Sequence, residues 1–310
     1  MLSIGDLVVR YRGVEEPTLK GVSLTISAGE KIALVGESGS GKSTLAKALL
    51  GLAPVQSGSV SFQGRRVLEE GLNLSDQDYR RRVQMIFQDP YNSLHPRLSV
   101  QSNLVEPLKI HGLYDSKESL QACRDVLERV GLDPQVANRH PHQFSGGQLQ
   151  RIGIARALLM EPLVLLADEP VSALDVSVQA QVLNLLARLS AEKELAMLFI
   201  SHDLAVVRHL CEKVAVMYKG RLVEYGPVDQ VCFEPQHPYT QTLVDATLGK
   251  PLSFSATTDG RGACPYLPRC PYSQDRCKQE LPPLLENTAG HSSACHFPGC
   301  SGGTSSVESV

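Results

Sequence analysis

The stretch that decides the fold is KIALVGESGSGKST, residues 31–44. Its first five residues, 31–35, form an apolar run with the length of a buried strand, and apolar positions over 44–52 repeat at helical spacing. Between them lies GESGSGKS, residues 36–43, which matches the phosphate-loop pattern G-x-x-x-x-G-K-[ST] at each fixed position. Strand, glycine-rich turn and helix follow one another in the order that such a loop requires.

The composition of this phosphate loop (residues 36–43) predicts an anion site. Its glycines permit backbone angles that let successive N–H groups point inward, and the start of the helix adds partial positive charge. Lys42 is expected to reach the β- and γ-phosphates of a nucleotide, and the Ser43 hydroxyl to ligate Mg²⁺. A glycine-rich turn without a ligand is disfavoured, because every fixed position and both flanks agree with the motif.

Length and charge narrow the class of protein. The chain has 310 residues and a net charge of −3, so no basic footprint argues for nucleic acid. No apolar run approaches the roughly 20 residues that a membrane helix needs. The N-terminal MLSIGDLVVRY lacks the basic start and apolar middle of a signal peptide. We therefore expect a cytoplasmic chain.

Strand and helix patterns alternate in the second half of the chain. Apolar runs of strand length at 163–167, 196–200 and 213–218 are separated by helical patterns at 178–189 and 204–210. This alternation predicts an α/β domain with a mainly parallel sheet covered on both faces. Earlier strands are predicted at 2–11, 22–26 and 83–87, and a hairpin at 59–67.

The composition changes at two places. Residues 89–160 open with a Pro/Asn/Ser/His-rich loop and contain an amphipathic helix at 116–130, which predicts a helical insertion. After Pro235 the pattern gives way to Pro, Gly, Ser and Cys. We therefore expect a compact domain over 1–235, an extension over 236–300 and a disordered tail over 301–310.

Two carboxylates follow the apolar run at 163–167. Nucleotide hydrolysis needs one carboxylate near Mg²⁺ and another group that polarises the attacking water. Asp168 suits the first task and Glu169 the second. An apolar run before Asp-Glu is common, so by itself it is weak evidence for a hydrolysis site. The phosphate loop elsewhere in the same chain makes that interpretation specific.

Two further motifs place polar groups at helix and strand ends. FSGGQLQR, residues 144–151, precedes a helix; Ser145 is a predicted N-cap, and the two glycines leave backbone N–H groups free for an anion. His202 directly follows the strand at 196–200, so it is expected at the sheet edge that carries the phosphate site.

Together these motifs resemble those of the nucleotide-binding subunit of ATP-binding cassette (ABC) proteins, over residues 1 to about 235. The resemblance implies a P-loop NTPase fold of the ABC type: an α/β domain with a mixed, mainly parallel core sheet, an antiparallel β subdomain and a helical subdomain, here followed by a Cys-rich extension. It also implies ATP and Mg²⁺ as cofactors. In this family two subunits enclose two ATP molecules, and the partner's signature motif completes each site.

The resemblance also implies a role for each matching residue. Glu169 is similar to the catalytic base, Gln88 to the glutamine that touches Mg²⁺ and water, and His202 to the histidine that contacts the γ-phosphate. Asp168, Ser43 and Gln88 are implied as Mg²⁺ ligands. The implied nucleotide contacts are Tyr11, which stacks on adenine, the Walker A residues Gly36, Glu37, Ser38, Gly39, Ser40, Gly41, Lys42, Ser43 and Thr44, the signature residues Ser145, Gly146, Gly147 and Gln148, and Asp175 of the D-loop.

Two stretches resemble one branch of the family, the ATPases of peptide/nickel importers. These are FQDPYNSLHPR at 87–97, closer to the "F" type of ATPase, and HPYT at 237–240. The resemblance implies import of di- or oligopeptides, with nickel or a metal chelate as the alternative cargo. The implied partners are a second, paralogous ABC ATPase, two membrane permeases and an extracytoplasmic substrate-binding protein, with the chain lying peripherally on the cytoplasmic face of the inner membrane.

Two rival functions are disfavoured by the sequence. A non-transport ABC ATPase acting on nucleic acid or ribosomes would be expected to carry two cassettes, a long coiled-coil insertion or basic patches, and the sequence has none of these. A non-catalytic regulatory subunit is disfavoured by the intact Glu169 and His202.

A cysteine cluster lies in the extension, at Cys264, Cys270, Cys277 and Cys295, with Cys300 in addition. Thiols in a loop-rich part of a cytosolic protein favour metal binding over disulfides. The spacing fits neither the short zinc-ribbon pattern nor ferredoxin runs. The resemblance implies a 4Fe–4S cluster in some members of the branch; zinc and no metal are the open alternatives.

Overall fold

The computed structural model describes residues 1–69, 76–250 and 262–299. The tail predicted as disordered, 301–310, and Cys300 lie outside the described residues. The strands are β1 (Leu2–Val9), β2 (Leu19–Ile26), β3 (Lys31–Val35), β4 (Val55–Phe62), β5 (Arg65–Glu69), β6 (Val83–Ile86), β7 (Val164–Asp168), β8 (Ala196–Ile200), β9 (Lys213–Tyr218), β10 (Arg221–Pro227), β11 (Leu285–Thr288) and β12 (His291–Ser293). The helices are α1 (Lys42–Leu49), α2 (Gln77–Arg82), α3 (Pro90–Ser93), α4 (Val100–Ile110), α5 (Ser116–Arg129), α6 (Gly146–Leu159), α7 (Val176–Lys193), α8 (Leu204–Leu210), α9 (Val228–Phe233), α10 (Pro238–Thr247) and α11 (Asp275–Gln279), with 3₁₀ turns at Pro134–Asn138, Pro141–Gln143 and Leu267–Arg269.

The main sheet is mixed and mainly parallel, which confirms the predicted α/β class. Its strand order is β11-β12-β10-β9-β3-β8-β7-β6. Strands β6, β7, β8, β3 and β9 pair in parallel, and β10, β12 and β11 continue the sheet in antiparallel pairing. Because the phosphate loop follows the carboxyl end of β3, which lies between β8 and β9, it opens at the carboxyl edge of the sheet, where α/β folds bind ligands.

A second, antiparallel sheet has the order β2-β1-β4-β5. Its apolar side chains form one buried cluster with α1 and with side chains on the neighbouring face of the main sheet. The predicted hairpin turns at Gln63 and Gly64, which both have positive φ (51° and 77°). Two positive φ values in a two-residue loop suit the twist of paired strands.

Helices α3 to α6 occupy the segment predicted as a helical insertion. In α5, Cys123, Val126 and Leu127 are buried in the cluster that also holds the apolar residues of α6. Asp115 starts α5, because its carboxylate accepts hydrogen bonds from the N–H groups of Lys117 and Glu118 at 2.8 and 2.9 Å. No described helix is both long and apolar enough to span a bilayer.

The chain beyond residue 235 adds to the same core. Glu224 of β10 is fully buried; its carboxylate accepts the N–H groups of Gln236 and His237, each at 2.8 Å, and lies 2.7 Å from Nε2 of His291 in β12. Tyr239 and Tyr266 belong to the main buried cluster. The boundary at 235 stays a prediction, but the buried core continues past it.

Candidate nucleotide-binding site

The phosphate loop is wrapped tightly between β3 and α1. Gly36 has a φ of 152°, and a Cβ there would lie 2.2 Å from the carbonyl oxygen of Met217 in β9. Gly41, with a φ of 108°, directly precedes α1, and its Cβ would lie 2.8 Å from Cδ2 of Leu19. Glycine is required at Gly36 by the adjacent backbone and is favoured at Gly41 by its φ, so the loop has the close backbone path that an anion cradle needs.

Lys42 lies inside this loop. Its side chain is buried, and Nζ donates hydrogen bonds to the carbonyl oxygens of Gly36 (2.7 Å) and Glu37 (3.0 Å). Burial lowers the pKa of Lys42, and the nearby carboxylates of Glu169 and Asp168 oppose that shift. The ammonium group is therefore held at the centre of the loop, where phosphate oxygens would approach.

Two predicted Mg²⁺ ligands are in direct contact. The Ser43 hydroxyl donates a hydrogen bond of 2.9 Å to Oδ1 of Asp168, at the end of β7. Burial raises the pKa of Asp168, while the hydrogen bond from Ser43 acts in the opposite direction. A hydroxyl and a carboxylate are oxygen donors of the kind that Mg²⁺ prefers, so these residues fit the ion.

Three predicted catalytic side chains converge, each from the end of a different parallel strand. Oε2 of Glu169, which follows β7, lies 3.4 Å from Nε2 of Gln88 and 3.5 Å from Nδ1 of His202. Glu169 has a φ of 43°, which is uncommon for a residue with a side chain. Such a conformation is typical of functional sites, because the surrounding structure must hold it in place.

These groups line one cavity of about 560 Å³. Its lining includes most of the phosphate loop together with Gln88, Glu169 and His202. Sequence reasoning missed four lining residues, which are Thr18 just before β2, Val35 at the end of β3, Leu204 of α8 and Leu243 of α10. Their apolar or backbone contributions leave no recognisable motif in the sequence.

Besides the signature group and Asp175, three predicted contacts do not line this cavity: Asp168, Ser40 and Tyr11. Ser40 is buried within the loop, and its carbonyl oxygen accepts the N–H of Gly220 at 2.9 Å. Tyr11 is half-buried and packs against the apolar cluster of the antiparallel sheet. The adenine-stacking role of Tyr11 stays a prediction.

The signature residues form a separate group at the start of α6. Ser145 and Gln148 make a reciprocal capping box: Ser145 Oγ accepts the Gln148 N–H at 3.4 Å, and Gln148 Oε1 accepts the Ser145 N–H at 3.0 Å. A Cβ at Gly147 would lie 2.4 Å from Val178 of α7. Asp175 is exposed at the start of that helix. Among the described residues, the signature residues Ser145, Gly146, Gly147 and Gln148 do not line the cavity of the phosphate loop, and neither does Asp175.

The predicted iron–sulfur cluster is not supported by the geometry. Cys264, Cys270, Cys277 and Cys295 border one narrow cavity of about 20 Å³. Over residues 1–69, 76–250 and 262–299, no three His, Cys, Asp or Glu side chains are grouped so that they could hold a metal ion. Burial raises the pKa of the Cys264 thiol.

Sequence comparison relates this chain to known transport ATPases. A family profile described as "ABC transporter" matches residues 19–172, and one described as "Oligopeptide/dipeptide transporter, C-terminal region" matches residues 223–277. The probable peptide ABC transporter ATP-binding protein y4tS of Sinorhizobium fredii is 46% identical over 287 residues, which cover 89% of this chain and 81% of that protein. The chain belongs to the family of ABC transporter ATP-binding proteins.

Other members of the ABC family agree with this assignment. The oligopeptide transport ATP-binding protein AppF of Bacillus subtilis is 41% identical over 298 residues, which cover 89% of this chain and 88% of that protein. The solved structure of the cassette MJ0796, a dimer bound to ADP and Pi in a post-hydrolysis state, has a TM-score of 0.65 and 30% identity, and covers 74% of this chain and 99% of that one. The ABC-type fold and the ATPase class predicted from the sequence are thereby confirmed.

Proposed function

We propose that this ABC ATPase powers an importer of di- or oligopeptides from the cytoplasmic face of the cell membrane. The observation that carries the proposal is the convergence of Lys42, Ser43 and the Glu169–Gln88–His202 group around one cavity, with Asp168 hydrogen-bonded to Ser43. The peptide cargo is supported by the names of y4tS and AppF and by the C-terminal profile match.

Each side chain has a task that its position allows. The phosphate-loop N–H groups and Lys42 would bind the β- and γ-phosphates. Ser43, Asp168 and Gln88 would hold Mg²⁺, which neutralises charge on those phosphates. Glu169 would orient the attacking water and accept its proton, and His202 would donate a hydrogen bond to the γ-phosphate.

The site needs a second subunit. Ser145–Gln148 and Asp175 lie outside the cavity, so this chain does not cover its own phosphate loop with its signature motif. We expect a paralogous ATPase to supply that motif, and two permeases and an extracytoplasmic binding protein to complete the importer. The dimeric form described for MJ0796 supports the pairing of two cassettes.

The test is reconstitution of the chain with its genomic-neighbour ATPase, permeases and binding protein in liposomes. We expect ATP hydrolysis that rises several-fold when a peptide-loaded binding protein is added outside, together with uptake of labelled peptide. Stimulation by nickel or a metal chelate instead of peptides would replace the proposed cargo. Failure of the chain to assemble with the permeases would contradict the transport function itself.

A further inference from the structure

The C-terminal part of the chain contacts the phosphate loop through Glu37. The backbone N–H of Glu37 donates a hydrogen bond of 2.7 Å to the Tyr239 hydroxyl. The Glu37 carboxylate pairs with both terminal nitrogens of Arg269, each at 2.9 Å. Two residues more than 200 positions away in the sequence therefore hold one residue of the loop by its backbone and its side chain.

Both partners are fixed by an aromatic cluster. The Tyr239 ring lies 4.5 Å from that of Tyr218 and 5.5 Å from that of Tyr266, measured between centroids. The Tyr266 hydroxyl lies 2.9 Å from Oγ1 of Thr242 in α10, and the Arg269 guanidinium lies over the Tyr266 ring at 5.7 Å. Tyr218 ends β9, next to the Met217 carbonyl that Gly36 approaches. Tyr239 thus belongs to the buried core, and Arg269 packs against a tyrosine of that core.

A carboxylate in this loop opposes phosphate binding electrostatically. Glu37 is the only acidic residue in GESGSGKS, and it lines the cavity in which a triphosphate would bind. An unpaired negative charge there repels phosphate, whereas a bidentate arginine pair neutralises it and fixes its direction. The hydrogen bonds to Glu37 raise the pKa of Arg269, so the guanidinium stays charged at every working pH.

We propose that Arg269 is a positioning residue for ATP binding: it neutralises Glu37 and, with Tyr239, holds the start of the phosphate loop. The C-terminal part of the chain is then required for nucleotide affinity, in addition to any contact it makes with other subunits. This inference rests on the proposed function for the identity of the ligand as Mg-ATP.

The first test measures the dissociation constant of a fluorescent Mg-ATP analogue with the full chain at low salt. Because the pair is partly exposed, we expect Arg269→Ala to weaken binding by roughly threefold to tenfold, and Arg269→Lys by less, since lysine keeps the charge but not the bidentate geometry. The matched control is Arg276→Ala in α11, whose guanidinium pairs with Glu280 at 3.0 Å; it should bind like the wild type.

The second test separates electrostatics from folding. In the Arg269→Ala background, Glu37→Gln removes the unpaired charge and should restore affinity, because a neutral amide does not repel phosphate. Raising the salt to about 1 M, where charges are screened beyond about 3 Å, should narrow the gap between Arg269→Ala and the wild type. A loss of affinity caused only by disrupted packing would show neither effect.

The outcomes are distinguishable. Equal affinity of Arg269→Ala and wild type, or no recovery in the double variant, would overturn the positioning role and leave the ATPase intact. A wild-type chain without affinity for Mg-ATP would instead overturn the proposed function, and the positioning role with it.

Discussion

The reactivity of the candidate site depends on how single side chains are held. Glu169 combines a positive φ with two polar neighbours, Gln88 and His202, so its carboxylate has a defined direction at the cavity wall. Asp168, one residue earlier, points to Ser43 instead. Adjacent carboxylates thereby face different partners, which allows one to bind the metal ion and the other to act on water.

Replacing Glu169 should separate binding from hydrolysis. We expect Glu169→Gln to lower ATP turnover by about 10²- to 10⁴-fold, because the amide cannot accept a proton, while Mg-ATP affinity is retained. Steady-state ATPase assays and nucleotide binding to the same preparation check this. Glu128→Gln, at an exposed position of α5, is the control and should leave turnover unchanged. Near-normal turnover by Glu169→Gln would remove this residue from the catalytic role.

The buried His237 should make stability depend on pH. Burial lowers its pKa from the ordinary 6.5 to about 3, and its Nδ1 accepts the Tyr239 N–H at 3.0 Å. Between these two pKa values, His237 is therefore protonated in the unfolded chain but not in the folded chain. This difference makes the free energy of unfolding fall as pH drops below about 6.5, by up to about 1.4 kcal/mol per pH unit, until the folded-state pKa of His237 near 3 is reached.

Denaturant unfolding between pH 7 and 5.5 measures this effect. His237→Asn keeps a hydrogen-bond acceptor at the start of α10 but cannot titrate, so its stability should change less with pH than that of the wild type. His142→Asn, at an exposed position, serves as the control. Parallel pH profiles for wild type and His237→Asn would contradict the expectation.

At the scale of elements, the loop depends on how closely β3, β9 and α1 approach. Gly36 and Gly39 both have positive φ, yet a Cβ at Gly39 meets no atom within 4 Å, whereas one at Gly36 meets the Met217 carbonyl. The two positions therefore differ in the room available for a side chain, and not only in backbone strain. Strand packing, more than conformational preference, sets the path of the loop.

The two glycines offer a matched pair of variants. Gly39→Ala should cost about 1 kcal/mol of unfolding free energy, from the unfavourable φ alone. Gly36→Ala should cost clearly more, because β9 must move away from the loop, and it should also weaken nucleotide binding. Urea unfolding of both variants provides the measurement; equal losses of stability would show that strand packing is not the limiting factor.

At the scale of the whole molecule, β10 joins the nucleotide-binding core to the C-terminal part. Glu224 is the connecting residue. Its buried carboxylate accepts hydrogen bonds from the two N–H groups that precede α10 and also contacts the ring of His291 in β12. The two parts share one sheet and one buried cluster. We therefore expect changes in one part to reach the other.

Glu224→Ala should test that connection. Leaving two N–H groups and an imidazole without their acceptor should cost about 3 kcal/mol or more and expose residues beyond 235 to protease. Limited proteolysis with mass spectrometry reads out the position of cleavage. Glu280→Gln, at an exposed position in the same part of the chain, is the control. A wild-type cleavage pattern in Glu224→Ala would argue that the C-terminal part is anchored elsewhere.

Local patterns were predicted well because they depend on neighbouring residues. The bounds of β3, β8, β9 and α8 agree with the apolar periodicity of the sequence. Helix α1 begins at Lys42 and not at residue 44, because Gly41 in a left-handed conformation already serves as its N-cap. Helix α7 runs from Val176 to Lys193, beyond the predicted 178–189, because residues 176–177 and 190–193 do not continue the apolar repeat.

The amino-acid sequence by itself determined the phosphate loop, the order of the strands from β1 to β9, and the residue types at the ends of β6, β7 and β8. These follow from local chemistry and from the rule that parallel strands bring their carboxyl ends together. Only the tertiary structure decided that Arg269 and Tyr239 hold Glu37 and that Leu243 lines the cavity. It also decided that, within the described residues, the four cysteines are not grouped as metal ligands. Such contacts join residues far apart in the chain, and their distances depend on the packing of the whole core.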